Sequence, residues 1–217
     1  MYFKGQEDEK HVRNRSGKSD RKRGTAMEEK KRMTGMMIHG FAVAHMVSAA
    51  LLAQTVVGDE AVLTALTVAM IVAVAKLNGA DWDSGAALAF LGVFAGSYIG
   101  VRGATMLVKW IPGVGNAANA AVTFATTEVL GWATYLFVRK GKKNPKDMTK
   151  NDKDSLWKEA KEMREKEAEE SKRLYESMSK EDEAEYKEIM KQLKEELPES
   201  TRKYLLDRLE KITGKYV

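Results

Sequence analysis

KWIPGVGNAANAAV, residues 109–122, is the stretch on which the fold turns. Gly113, Gly115 and Ala118 have the G-x-G-x-x-A spacing of a dinucleotide-binding turn. That motif needs an apolar strand before its first glycine and an acidic residue about 20 positions on. What precedes it is GATMLVKW, which continues a helical pattern, and the sequence has no βαβ alternation. Pro112 cannot continue a helix and biases the residue before it towards extended geometry. Gly113 and Gly115 supply the dihedrals of a tight turn. The stretch reads as a bend between two apolar helices, and the fold class as all-α.

Downstream, residues 116–138 form an apolar helix with a polar stripe: Asn116, Asn119, Thr123, Thr127 and Thr134. Ala117, Ala121 and Ala125 lie beside it. Glu128 sits mid-helix, where an ionisable group must be paired, protonated or open to a wet cavity. Asn119, Thr123, Thr127 and Glu128 are the candidate buried polar or ion site. Its structural counterpart is a single internal ion pair with Arg102, Lys109 or a histidine.

Upstream, GAALAFLGVFAGSYIGV (85–101) repeats Gly85, Ala89, Gly92, Gly96 and Gly100 at three- or four-residue spacing. Glycine costs about 1 kcal/mol in an ordinary helix interior. A stripe of it suits close approach of a second helix, as in lipid. Residues 61–77 form another apolar helix, followed by NGADWDS, with Asp83 or Ser84 as a cap and Trp82 as a candidate interfacial anchor. Residues 36–57, MMIHGFAVAHMVSAALLAQTVV, are apolar on every face and would extend about 33 Å as a helix, enough to cross a bilayer core. His39 and His45 are six apart, a poor spacing for joint metal ligation.

Charge divides the chain into four parts. Residues 35–138 hold only eight charged side chains. Residues 1–34 form a basic arm whose composition predicts disorder. Its RSGKSD resembles the end of a P-loop but lacks the first glycine and the strand and helix around it. A basic linker (139–150) follows the hydrophobic domain. There Arg139, Lys140, Lys142 and Lys143, after Trp132 and Tyr135, suit the anionic surface at the end of a span. Residues 151–217 are charged amphipathic helices, with Leu156, Ala160, Met163, Leu174 and Met178 as a broken apolar stripe. Glu167 and Glu170 interrupt it. Ser179 with Asp182 caps the next helix, and Ser200 is expected to cap the last. The chain contains no cysteine, so disulfides and thiolate metal sites are excluded.

Four spans would place both termini on one side, and the flanking basic segments make that side cytoplasmic. The acidic NGADWDS loop and the basic 102–109 segment run against this order, so re-entrant hairpins and a soluble bundle stand beside it.

One stretch also resembles a known family. Asp59, Leu63, Thr67 and Met70, then Gly79, Lys109 with IPGVG at 111–115, Asn119 and Ala120, and Thr127 and Gly131 resemble the YcjF-type hydrophobic domain. That bacterial domain is attached to, or encoded beside, Era-like or dynamin-like P-loop GTPases. The resemblance spans residues 49–138 and implies an all-α, membrane-associated module working with a GTPase. This sequence carries no GTPase domain, so a GTPase is either supplied in trans or absent.

These observations lead to a non-enzymatic module of the bacterial cytoplasmic membrane. It anchors in the bilayer, homo-oligomerises and recruits a cytosolic protein through residues 151–217. A pore lined by the polar stripe and a soluble oligomeric scaffold are the alternatives. The sequence offers no nucleophile–base pair, paired carboxylates or metal spacing, and no cofactor is expected. The basic arm lacks the aromatic or motif support that nucleic-acid binding would need.

Overall fold

The computed structural model describes the backbone of residues 5–52, 59–98, 117–141 and 145–217, and side chains over 24–50, 62–94, 120–141 and 145–217. The fold is all-α, as the apolar periodicity predicts. The described residues form seven α-helices: α1 (Gly5–Leu52), α2 (Asp59–Leu77), α3 (Ser84–Tyr98), α4 (Ala117–Arg139), α5 (Lys150–Glu176), α6 (Lys180–Gln192) and α7 (Glu199–Thr213). Gly100, Pro112, Gly113, Gly115, Lys142 and Lys143 lie outside the described residues. So do the surroundings of Gly96 and Asn119, which belong to α3 and α4 by their backbone.

α1 and α4 run antiparallel. Gly35 meets Trp132, Ile38 meets Gly131, His39 meets Glu128, and Met27 meets Arg139. α2 returns antiparallel to α1, with His45 against Leu63 and Thr67, and Thr34 against Asn78. Every residue from Leu66 to Ala75 is buried, as a helix apolar on all faces requires. α2 ends in a glycine cap: Gly79 takes φ +90°, and Ala80 N–H reaches back to the Ala75 carbonyl.

Three features go beyond the sequence reading. The arm expected to be disordered is helical from Gly5, continuous with the apolar helix beyond it. Of the small-residue stripe of α3, Gly85 and Gly92 meet no other helix. Gly85 and Gly92 are exposed, and a methyl group at Gly92 would meet nothing within 4 Å. α3 instead buries Ala87, Phe90, Leu91 and Phe94, whose larger apolar area gains more from leaving water. Trp82 joins Phe90 and Phe137 in an aromatic cluster, with centroids 5.4 and 5.7 Å away.

Close backbone approach occurs at glycines in α1 and α4. A Cβ at Gly131 would lie 2.7 Å from Ile38 Cγ1, one at Gly35 would run into Ser171 Oγ, and one at Gly40 would strike the Tyr186 ring. The first contact joins α4 to α1, and the other two tie α1 to α5 and α6. The charged C-terminal helices therefore share one core with the apolar ones, through Leu156, Leu174, Tyr186, Ile189, Leu205 and Leu209.

The break in the α5 stripe has a physical reason. Leu156, Ala160, Glu167, Ser171 and Leu174 are all buried on one face. The polar members stand where α1 brings Lys31 and Gly35. Glu167 pairs with Lys31 at 3.2 Å, and Ser171 fills the space above Gly35.

Caps fix the C-terminal helices. Thr149 and Asp152 form a capping box at the start of α5, and the Ser179 hydroxyl accepts from Asp182 N–H at 3.1 Å. α7 starts earlier than Ser200. Pro198, at φ −53° and ψ 144°, is its N-cap, so Ser200 falls inside the first turn. The fixed proline φ sets that start without a side-chain hydrogen bond.

Candidate functional site

Glu128 is 3% exposed and lies between three helices. Its Oε1 is 3.0 Å from His39 Nδ1 of α1, and its Oε2 accepts from Arg164 Nε of α5 at 2.8 Å. Phe124 meets the His39 ring edge-on, with centroids 5.2 Å apart, and Tyr175 covers another side at 5.5 Å. An isolated carboxylate would not stay ionised here without partners. Two partners satisfying both oxygens resolve that demand.

Of the expected partners, a histidine is present. Arg164 comes from the charged helix and was not foreseen. Its only sequence signal is that it falls in the gap of the α5 apolar stripe, one turn after Ala160.

The threonines expected beside Glu128 are buried, but their hydroxyls turn inward. Thr127 Oγ1 donates to the Thr123 carbonyl at 2.9 Å, and Thr134 Oγ1 to the Leu130 carbonyl at 3.0 Å. Both hydroxyls donate within their own helix. Among the described residues, every buried side-chain nitrogen and oxygen has a partner, and no three His, Cys, Asp or Glu groups converge on a metal-sized site.

A second feature is the ring of cations at one end of the apolar helices. Lys31 and Arg32 sit on α1, Lys76 at the end of α2, and Arg139 and Lys140 at the end of α4. The Thr34–Asn78 and Met27–Arg139 contacts place these ends side by side. Four of the five pair with carboxylates of the C-terminal helices. Lys31 meets Glu167, Arg32 Nη2 meets Glu170 at 3.1 Å, Lys76 meets Asp207, and Lys140 meets Glu159 at 2.7 Å. Arg139 and Lys140 are exposed, as surface anchors should be. Trp132 and Tyr135 are not: both are buried, packed edge to face 5.5 Å apart.

At the opposite end, where α2 begins with Asp59 and Glu60, the α1–α4 pair exposes apolar side chains. Val47 on α1 and Val122 on α4 lie level with one another by the α1–α4 register and are 46% and 40% exposed. Exposed apolar side chains mark an interaction surface when they are contiguous; Met27, 48% exposed, lies at the charged end.

Glu159 and Asp182, like Glu170, join separate elements and are held below their ordinary range. The Lys140 ammonium lowers the Glu159 carboxyl below 4.5, and Lys215 followed by Tyr216 lowers Asp182 below 3.8. A depressed folded-state value stabilises the native form above the unfolded value, and that contribution is lost as pH falls through the folded one. The α4–α5 and α6–C-terminal contacts should therefore weaken below about pH 4.5 and be unchanged between pH 6 and 8. Hydrogen exchange across 150–217 at stepped pH checks this, and Asp182→Asn should abolish the acid dependence of the 213–217 segment.

Comparison with protein-family models, with curated proteins and with solved structures finds no match for this chain.

Proposed function

We propose that the protein is a non-enzymatic, membrane-associated helical module, with its apolar end entering the bilayer and its charged end on the cytoplasmic side. The observation carrying this reading is the polarity of the α1–α4 pair. Gly24–Ala50 and Ala120–Arg139 are each long and apolar enough to cross a membrane. They lie antiparallel, with cations at one end and exposed Val47 and Val122 at the other. That order matches a bilayer, with charge at the headgroups and hydrocarbon beyond. In this reading, second copies of the chain and a cytosolic partner meet the module outside the lipid. The charged outer faces of α5–α7 are the part offered to that partner, a P-loop GTPase in trans being the one the resemblance implies. The chain as it stands would belong to a bacterial cytoplasmic membrane.

The absence of native cysteine makes the test direct. Val47→Cys, Val122→Cys and Tyr204→Cys, each carrying an environment-sensitive fluorophore, are mixed with phospholipid vesicles. Tyr204 on α7 is 58% exposed and belongs to the charged end. The labels at 47 and 122 should shift to the blue and become quenchable from within the lipid, while the label at 204 stays in water. Equal behaviour at all three positions, or no change at any, would sink the membrane reading.

A further inference from the structure

The described conformation sets a limit on how much of α1 can enter lipid. α5 climbs alongside α1: Lys31–Glu167, Arg32–Glu170, Gly35–Ser171 and His39–Tyr175 advance together. α6 continues the cover, with Tyr186 seated on Gly40. The outer side of α6 carries exposed Lys187, Glu188 and Lys191. If α1 crossed a bilayer from Gly35, these charges would stand in hydrocarbon, where each is costly. Beyond Tyr186, α1 has only its last three turns, ending at Leu52. A span needs about 20 residues. From Gly35 to Leu52 the helix measures about 27 Å, close to a bilayer core, but only with its flank free.

The cation ring sits where headgroups would lie if that flank were free. Four of its five members are already engaged by acidic side chains of α5 and α7, in the way that lipid phosphates would engage them. We infer that Lys31, Arg32, Lys76 and Lys140 form a latent binding site for anionic lipid headgroups, held in this structure by Glu167, Glu170, Asp207 and Glu159. α5–α7 must leave the flank of α1 before α1 spans. This rests on the membrane reading above and adds its lipid class and its gate.

The ring pairs suit an exchange of partners. Their side chains are 11 to 42% exposed, so solvent and a competing phosphate can reach them. Ion pairs with that access contribute little net stability, while several cations facing an anionic surface act together.

A disulfide lock tests the gate. A Cβ at Gly35 runs into Ser171 Oγ, so Gly35→Cys with Ser171→Cys brings two sulfurs within bonding reach and ties α1 to α5. The full-length chain is presented to vesicles of phosphatidylcholine alone or mixed with phosphatidylglycerol. Flotation reads docking, and resistance to alkaline extraction reads spanning. Circular dichroism confirms that the oxidised and reduced forms are equally helical.

The reduced protein should become extraction-resistant on the anionic vesicles by about tenfold or more over the neutral ones. The oxidised protein should float and yet be fully extracted. Glu167→Gln with Glu170→Gln and Asp207→Asn, which loosens the carboxylate hold, should gain resistance on neutral vesicles. Equal resistance of oxidised and reduced forms overturns the gate, because α1 would then insert with α5 in place. Equal resistance of the reduced form on both lipids overturns the headgroup site. Failure of both forms to float removes the membrane reading, and this inference with it.

Discussion

Gly40→Ala will destabilise the protein by about 2–3 kcal/mol, the scale of an overpacked core. The added methyl would sit 2.6 Å from Tyr186 Cζ and closer still to the hydroxyl oxygen. Tyr186 is fully buried on α6, so its ring cannot retreat into solvent. Its hydroxyl is 3.5 Å from the Met37 carbonyl, and burial pushes its pKa well above the usual 10, so it stays protonated and neutral. Alanine is intrinsically the better helix former by about 1 kcal/mol, so a propensity account expects stabilisation instead. The sign of the change in urea midpoint decides between them. A second substitution gives the cycle its control. In a Tyr186→Leu background, the clash partner is gone and Gly40→Ala should become neutral or stabilising. Destabilisation by the same amount in both backgrounds would mean that α6 does not rest on Gly40.

That contact shows which part of the fold could be read from residue pattern. The apolar helices were legible because a helix hydrophobic on all faces has few ways to exist, and α2 is surrounded on all sides. The helix start at Ser179 was legible because a cap is a local device, complete within four residues. What lay beyond reading was the pairing of distant surfaces. Gly85, Gly92 and Gly96 look more like packing glycines than Gly35, Gly40 and Gly131 do, because they repeat. Yet the described close approaches fall at isolated glycines, each meeting one particular side chain. Ser171 and Tyr186 are ordinary residues in the sequence, and nothing local ties them to α1. The same holds for Glu167. It breaks an apolar stripe when α5 is read alone, and it completes the interface once Lys31 stands opposite. The buried site was half legible: a carboxylate in mid-helix demands a partner, and a histidine was available. Arg164 was hidden because one chain read by itself gives no reason to dock a charged helix against an apolar one.

Removing the Glu128 carboxylate will show whether that site holds the molecule together or serves a further purpose. Glu128→Ala should cost about 3 kcal/mol, because breaking a buried ion pair strands the remaining charge. The value belongs at the low end of that range, since the Arg164 side chain is 31% exposed and its guanidinium has a route to water. Glu128→Gln keeps an acceptor and should cost less. The decisive variant is Glu128→Leu with Arg164→Met, which replaces the pair by apolar groups of similar size. Such replacements are often neutral or stabilising, so its urea midpoint should return close to that of the parent protein. His39 then loses its carboxylate but keeps Phe124 and Tyr175 around its ring. With stability restored, vesicle docking separates the two roles. Docking at the parental level makes the triad an internal clamp between α1, α4 and α5. A stable chain that no longer docks would mean that the charge on Glu128 acts at the membrane.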